Sequence, residues 1–76
     1  MAIKTTRTDV ETQTRIDVVD ANTSYVGEAK LKAKTSAAAW QILKIIKVGT
    51  ETSVLSANSN LRFNNIWDNR ASLTYG

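Results

Sequence analysis

Any catalytic site in this chain would have to be assembled without two of its commonest parts, since the sequence contains no His and no Cys. A Ser or Thr nucleophile then lacks the usual partner base, which excludes triads and Cys–His pairs. The glycines stand at 27, 49 and 76, so no Gly-rich loop is available to cradle a phosphate. Asp17, Asp20 and Glu28 would approach a divalent cation only if two strands brought them together. Cation sites need several converging oxygen ligands, and solvated surface carboxylates are the plainer reading. Asp68 and Arg70, flanking Asn69, form a candidate polar cluster in which the planar guanidinium orients the end of the chain. The competing reading is an exposed ion pair worth about 0–1 kcal/mol. These residues lead to a non-enzymatic protein with no catalytic, metal-binding or cofactor-binding residues.

Charge offers a second kind of chemistry. Ten basic and seven acidic residues give a formal charge of +3, and the basic residues cluster only at Lys30, Lys32 and Lys34. These alternate with Leu31 and Ala33, so an extended backbone would line three ammonium groups along one side. Such a basic face could meet nucleic acid, lipid or an acidic protein surface. It could equally be a solvated strand face. Together with Lys44 and Lys47 the trio defines an alternative reading, a small nucleic-acid-binding β-module. Three neutralised phosphates would give a log–log salt slope of only about −2 to −3. Strong nucleic-acid binders carry a denser basic stripe, often with aromatic residues interleaved.

Apolar surface is concentrated near the end of the sequence. The run Phe63–Tyr75, FNNIWDNRASLTY, holds the single Phe, one of the two Trp and one of the two Tyr. Phe63, Ile66 and Trp67 follow i, i+3, i+4 spacing, which would place them on a shared side of a helical turn, and the Asn and Asp residues among them favour turns, so the stretch reads as a short helical turn or a compact loop. Ala71–Tyr75 would run on as a short strand. Trp40 and Trp67 have the character of core residues. Trp is also enriched at interface hot spots, and Tyr25, Trp40, Phe63, Ile66, Trp67, Leu73 and Tyr75 form the candidate interface set.

Positioning these groups calls for a mainly β fold, a small antiparallel sheet or sandwich of about four strands with a short C-terminal helical turn. Residues 1–10 are Thr-rich and predict an extended arm, leaving 11–76 as one small β domain. In Thr12–Val19, Thr14, Ile16 and Val18 share one strand face, with Arg15 and Asp17 on the other. Asp20–Thr23 has turn chemistry, and Ser24–Ala29 returns as the second strand of a hairpin. Gly27 inside that strand implies either a bulge or a close backbone approach. Residues 36–47 admit a Ser36-capped helix, but the aromatic and β-branched residues from Trp40 to Val48 favour a strand, with Ser36–Ala39 leading in. A tight Gly49–Thr50 turn then returns TETSVLS as a strand. Leu43 and Ile45 point opposite to Ile42 and Ile46, so both sheet faces need cover, from a partner or from the terminal segment.

A chain of 76 residues buries only about 60% of the surface its unfolded form exposes. Small domains commonly rely on disulfides, metal or partners, and without Cys and His the expected support is assembly with other molecules. No apolar run approaches the roughly 20 residues of a membrane span, and MAIKTTRTDV lacks a signal-peptide core, so the expectation is synthesis in the cytoplasm and no membrane partner.

Three segments carry a family resemblance: Tyr-Val-Gly-Glu-Ala at 25–29, Thr-Ser-Ala-Ala-Ala-Trp-Gln-Ile at 35–42, and Asn-Ile-Trp-Asp-Asn-Arg-Ala-Ser-Leu-Thr-Tyr at 65–75. Together they resemble a family of small, mostly uncharacterised virion proteins of tailed bacteriophages, over most of residues 20–76. The stretch LKAKT is basic where the family pattern would have Gly, Pro or Ser, and residues 56–61 lack an Asp-Gly turn. The resemblance implies a structural role in the virion, with symmetric copies on the capsid as decoration or cement, or in the neck or tail. Partners would be further copies of the chain and other virion proteins. No small-molecule substrate or cofactor is implied.

Overall fold

The computed structural model describes residues 11–76. The expected arm at 1–10 lies outside the described residues. The fold is mainly β: strands β1 (Thr12–Asp20), β2 (Thr23–Lys30), β3 (Ala38–Val48) and β4 (Glu51–Ser56) form an antiparallel sheet in sequence order. A short β5 (Asn65–Ile66) pairs with the start of β3, and a 3-10 helix, Trp67–Ser72, follows. The strand reading of residues 40–48 holds, and the helix alternative does not form.

Local chemistry explains the connections. In the β1–β2 turn the Asp20 carboxylate accepts a 2.7 Å hydrogen bond from the backbone N–H of Asn22, the self-bonding habit of turn Asp. The register shifts between Val18 and Asp20, adding local twist where the hairpin closes. Gly49, at φ 61°, opens the β3–β4 turn; a left-handed first residue suits the right-handed twist of the strands, and Gly adopts it without a steric penalty. After β4, Asn58 and Ser59 both take left-handed φ, and Asn60 N–H returns to the carbonyl of Ala57. That is the geometry of an Asn-Gly turn, built here with Asn-Ser.

Register assigns the faces. Antiparallel partners point to the same side of a sheet, and neighbours along a strand alternate. One side carries Arg15, Gly27 and Ile42 in one row and Asp17, Tyr25, Lys44 and Leu55 in the next. The segment after β4 folds onto this front face, building a core of Tyr25, Ala29, Trp40, Ile42, Ala57 and Trp67. The other side, the back, carries Ile16–Val26–Leu43–Ser56 in one row and Val18–Ser24–Ile45–Val54 in the next.

The expected short C-terminal helical turn forms as the 3-10 helix Trp67–Ser72, later in the chain than the Phe63 spacing implies. Phe63 lies in a bend, Ile66 in β5, and only Trp67 belongs to the helix. The spacing misleads because Asn65, between them, is used as a strand residue. Its side chain is 4% exposed, donates to the Trp40 and Arg62 carbonyls at 3.1 and 3.4 Å, and accepts from the Asn58 amide at 2.8 Å. Such a satisfied amide fixes the chain path, where an unpaired one would cost about 1–3 kcal/mol. The expected strand at Ala71–Tyr75 is also corrected. Ala71 and Ser72 finish the helix, and Tyr75 makes a single bridge to Ala57.

Candidate functional site

The front face is closed around two indoles packed at a tilt of 37°. Trp40 and Trp67 have ring centroids 5.7 Å apart, and Trp40 Nε1 donates to the Lys34 carbonyl at 3.0 Å. Gly27 makes room for them. A Cβ at that position would stand 2.5 Å from two atoms of the Trp67 ring and 3.1 Å from Trp40, closer than carbon atoms pack. The strand glycine is therefore a close backbone approach and not a bulge; the register runs through it without a shift.

Three cations on this covered side lie over aromatic rings, two placed there by strand alternation and Arg70 by the 3-10 helix. Arg70 stands 4.5 Å from the centre of Trp67, Arg15 stands 6.0 Å from Trp40, and Lys44 is within 5.8 Å of both Tyr25 and Tyr75. Their stems add cover to the apolar core while the charge stays near water. Arg70 also donates through Nε to Asp17 at 2.9 Å and through Nη1 to the Trp67 carbonyl at 3.1 Å. The expected cluster of Asp68 and Arg70 is thus corrected: the carboxylate partner comes from β1, while Asp68 is exposed and its backbone N–H bonds Thr35. Residues two apart in a 3-10 helix point in different directions, whereas β1 passes beneath Arg70. Tyr75 donates its hydroxyl to the Arg70 carbonyl at 2.8 Å. Burial pushes the Tyr75 phenol up to about 12, nearby Tyr25 adds to this, and Arg70 opposes it.

The interface set is divided by this arrangement. Tyr25, Trp40 and Trp67 are sealed inside one chain, and Leu73 and Tyr75 pack against the same core. Tyr25, Trp40 and Trp67 are thus used inside the chain, whereas Leu73 and Tyr75 are partly buried. Ile66 is half-buried. Phe63, about half exposed, lines an open groove of about 470 Å³ with Thr12, Lys30, Ala38 and Ala39.

The basic face does not form. Lys30 ends β2, Lys32 sits in a turn at φ 70°, and Lys34 lies in the loop beyond, so extended alternation stops before it can align the three. Lys44 and Lys47 belong to opposite sides of β3. Asp17 and Glu28 also fall on opposite sides, and no metal-binding group of three or more acidic, His or Cys residues occurs among the described residues.

The remaining surface is the back of the sheet. Ile16, Val18 and Val54 are 66%, 67% and 57% exposed, and Val26, Leu43 and Ile45 lie half-buried between them. No strand or helix among the described residues covers these six. The loop at Leu61 touches this side at one end, where its carbonyl accepts from Gln41 Nε2 at 3.0 Å. Comparison with family models, curated proteins and solved structures finds no match to this chain.

Sequence reasoning had grouped Ile16 with Val18, and Leu43 with Ile45, without joining them into one patch. The available signal was the register: once Gly27 is set against the tryptophans, alternation across the hairpins sends all six to the other side.

Proposed function

We propose that this chain is a non-enzymatic structural protein of a tailed-phage virion, present in symmetric copies on the capsid or in the neck or tail. The observation that carries this reading is the uncovered apolar back face, six aliphatic side chains at the centre of a four-stranded sheet. Contiguous apolar surface of this kind on a soluble domain marks an interaction site. The resemblance of residues 25–29, 35–42 and 65–75 to phage virion proteins supplies the kind of assembly. The interacting surface is the sheet back, in place of the tryptophans, which the chain keeps for its own core.

Mass spectrometry of washed particles of the encoding phage, with labelled antibody imaging, tests the reading. The expected result is the chain at a fixed, symmetry-compatible copy number and one location. Absence of the chain from intact particles overturns it. Salt-dependent nucleic-acid binding discriminates the alternative, for which micromolar affinity lost steeply between about 50 and 200 mM salt would be required.

A further inference from the structure

The back face is complementary to itself. Its rows are stacked in order along the strands: Thr14–Glu28–Gln41, then Ile16–Val26–Leu43–Ser56, then Val18–Ser24–Ile45–Val54, then Lys47–Thr52. The two apolar rows lie at the centre. Glu28 stands at one end, held by the Thr14 hydroxyl at 3.4 Å, with exposed Lys30 one row beyond it at the sheet margin, and exposed Lys47 stands at the other. Glu28 and Lys47 are separated by about 20 Å, six residues of strand at about 3.3 Å each.

We propose that the occupant of this face is a second copy of the chain, packed sheet to sheet about a two-fold axis. The axis lies in the interface, perpendicular to the strands, between the two apolar rows. This rests on the reading that copies of the chain assemble, and it names the surface and the symmetry. Rotation about that axis sets each row against its counterpart of opposite order. Lys47 of the partner subunit comes opposite Gln41 and one strand, about 5 Å, to the side of Glu28, within reach of its carboxylate, and the same contact is made the other way round, as an isologous interface requires. At the centre, Ile45 meets the partner's Leu43 and Val18 meets the partner's Ile16. The small Ser24 and Ser56 face the partner's Val26 and the partner's Val54, so larger groups oppose smaller ones. A two-fold axis parallel to the strands would instead put Glu28 beside the partner's Glu28. Sheets packed this way stand about 10 Å apart and cross at about 30°, a spacing that aliphatic side chains fill. Charge complementarity fixes the register, and apolar burial supplies the association.

Sedimentation equilibrium of the full chain is the direct test. A dimer is expected, with dissociation below roughly 100 µM. Glu28→Lys or Lys47→Glu alone should weaken it about tenfold, and the two together should restore it. Val54→Glu should abolish it while the circular dichroism of the sheet is retained. A chain still monomeric at several hundred µM overturns the proposal, as does a dimer indifferent to all these changes. NMR contacts within one chain from Ile3 or Val10 to Val18 and Val54 overturn it as well, because the face would then be filled from inside. Particle composition is a separate measurement. A dimer absent from virions defeats the functional reading and leaves this interface standing; a monomer found in virions does the reverse.

Discussion

The two sides of this sheet are made from the same strands and carry opposite solutions to one problem. The front receives Arg15 and Asp17 of β1 and Lys44 of β3 and is nevertheless the closed side, because Trp40 of β3 and Trp67 and Tyr75 of the C-terminal segment pack there. The back receives the aliphatic members, Ile16, Val18 and Ile45, and is the open one. Polarity along a strand therefore does not decide which side becomes the interior in so small a domain. The bulk of two indoles does, together with the one position, Gly27, where they can settle.

Substitutions that empty or crowd the front should have the largest effects. Trp40→Ala should cost about 3–5 kcal/mol in chemical denaturation, enough to unfold many domains of this size. Gly27→Ala should cost about 1–3 kcal/mol as its methyl displaces Trp67, and a cost near zero would show that the indoles move easily. Alkali should loosen the same side through Tyr75. In an unfolded chain its phenol ionises near 10, whereas in the fold burial holds it to about 12. Between those values the unfolded chain has lost a proton that the folded chain keeps, so stability is intact below about pH 10 and declines towards pH 12. Absorbance titration of the phenols checks the shift, and Tyr75→Phe should remove that part of the decline. The smallest effect belongs to the back: Val18→Thr in the monomer should alter folding stability by no more than about 0.5 kcal/mol. A larger loss under monomeric conditions would mean that this side is covered within one chain.

Much of this architecture was legible in the residues. β-branched alternation gave four strands in order, and Gly49 marked the second hairpin. The helical turn near the C-terminus was legible, but its start and β5 were not, because Phe63, Ile66 and Trp67 satisfy helical spacing while the hydrogen bonds of Asn65 to Trp40 and Asn58 hold the chain in β5. Side-chain amide networks across 25 residues leave no periodic trace in a sequence. The same holds for the Arg70–Asp17 pair, formed across 53 positions, where the nearer Asp68 was the natural choice. The core character of Trp40 and Trp67 was legible, and they are buried, but the exposed aliphatic patch was not. Aromatic residues also filled the candidate interface set, yet large rings are what a short chain needs for its own interior. The aliphatic patch appears only when register joins residues from four strands.

That long-distance pair also sets an order of events. Strands β1 to β4 can zip through successive hairpins, each closing a short loop, but the indole pair needs Trp67 delivered across the sheet to Gly27 and Arg70 to Asp17. Closure over such separations is slow compared with hairpin formation. The meander should therefore form first with both sides bare, and the arrival of residues 67–70 decides which side the molecule keeps for itself.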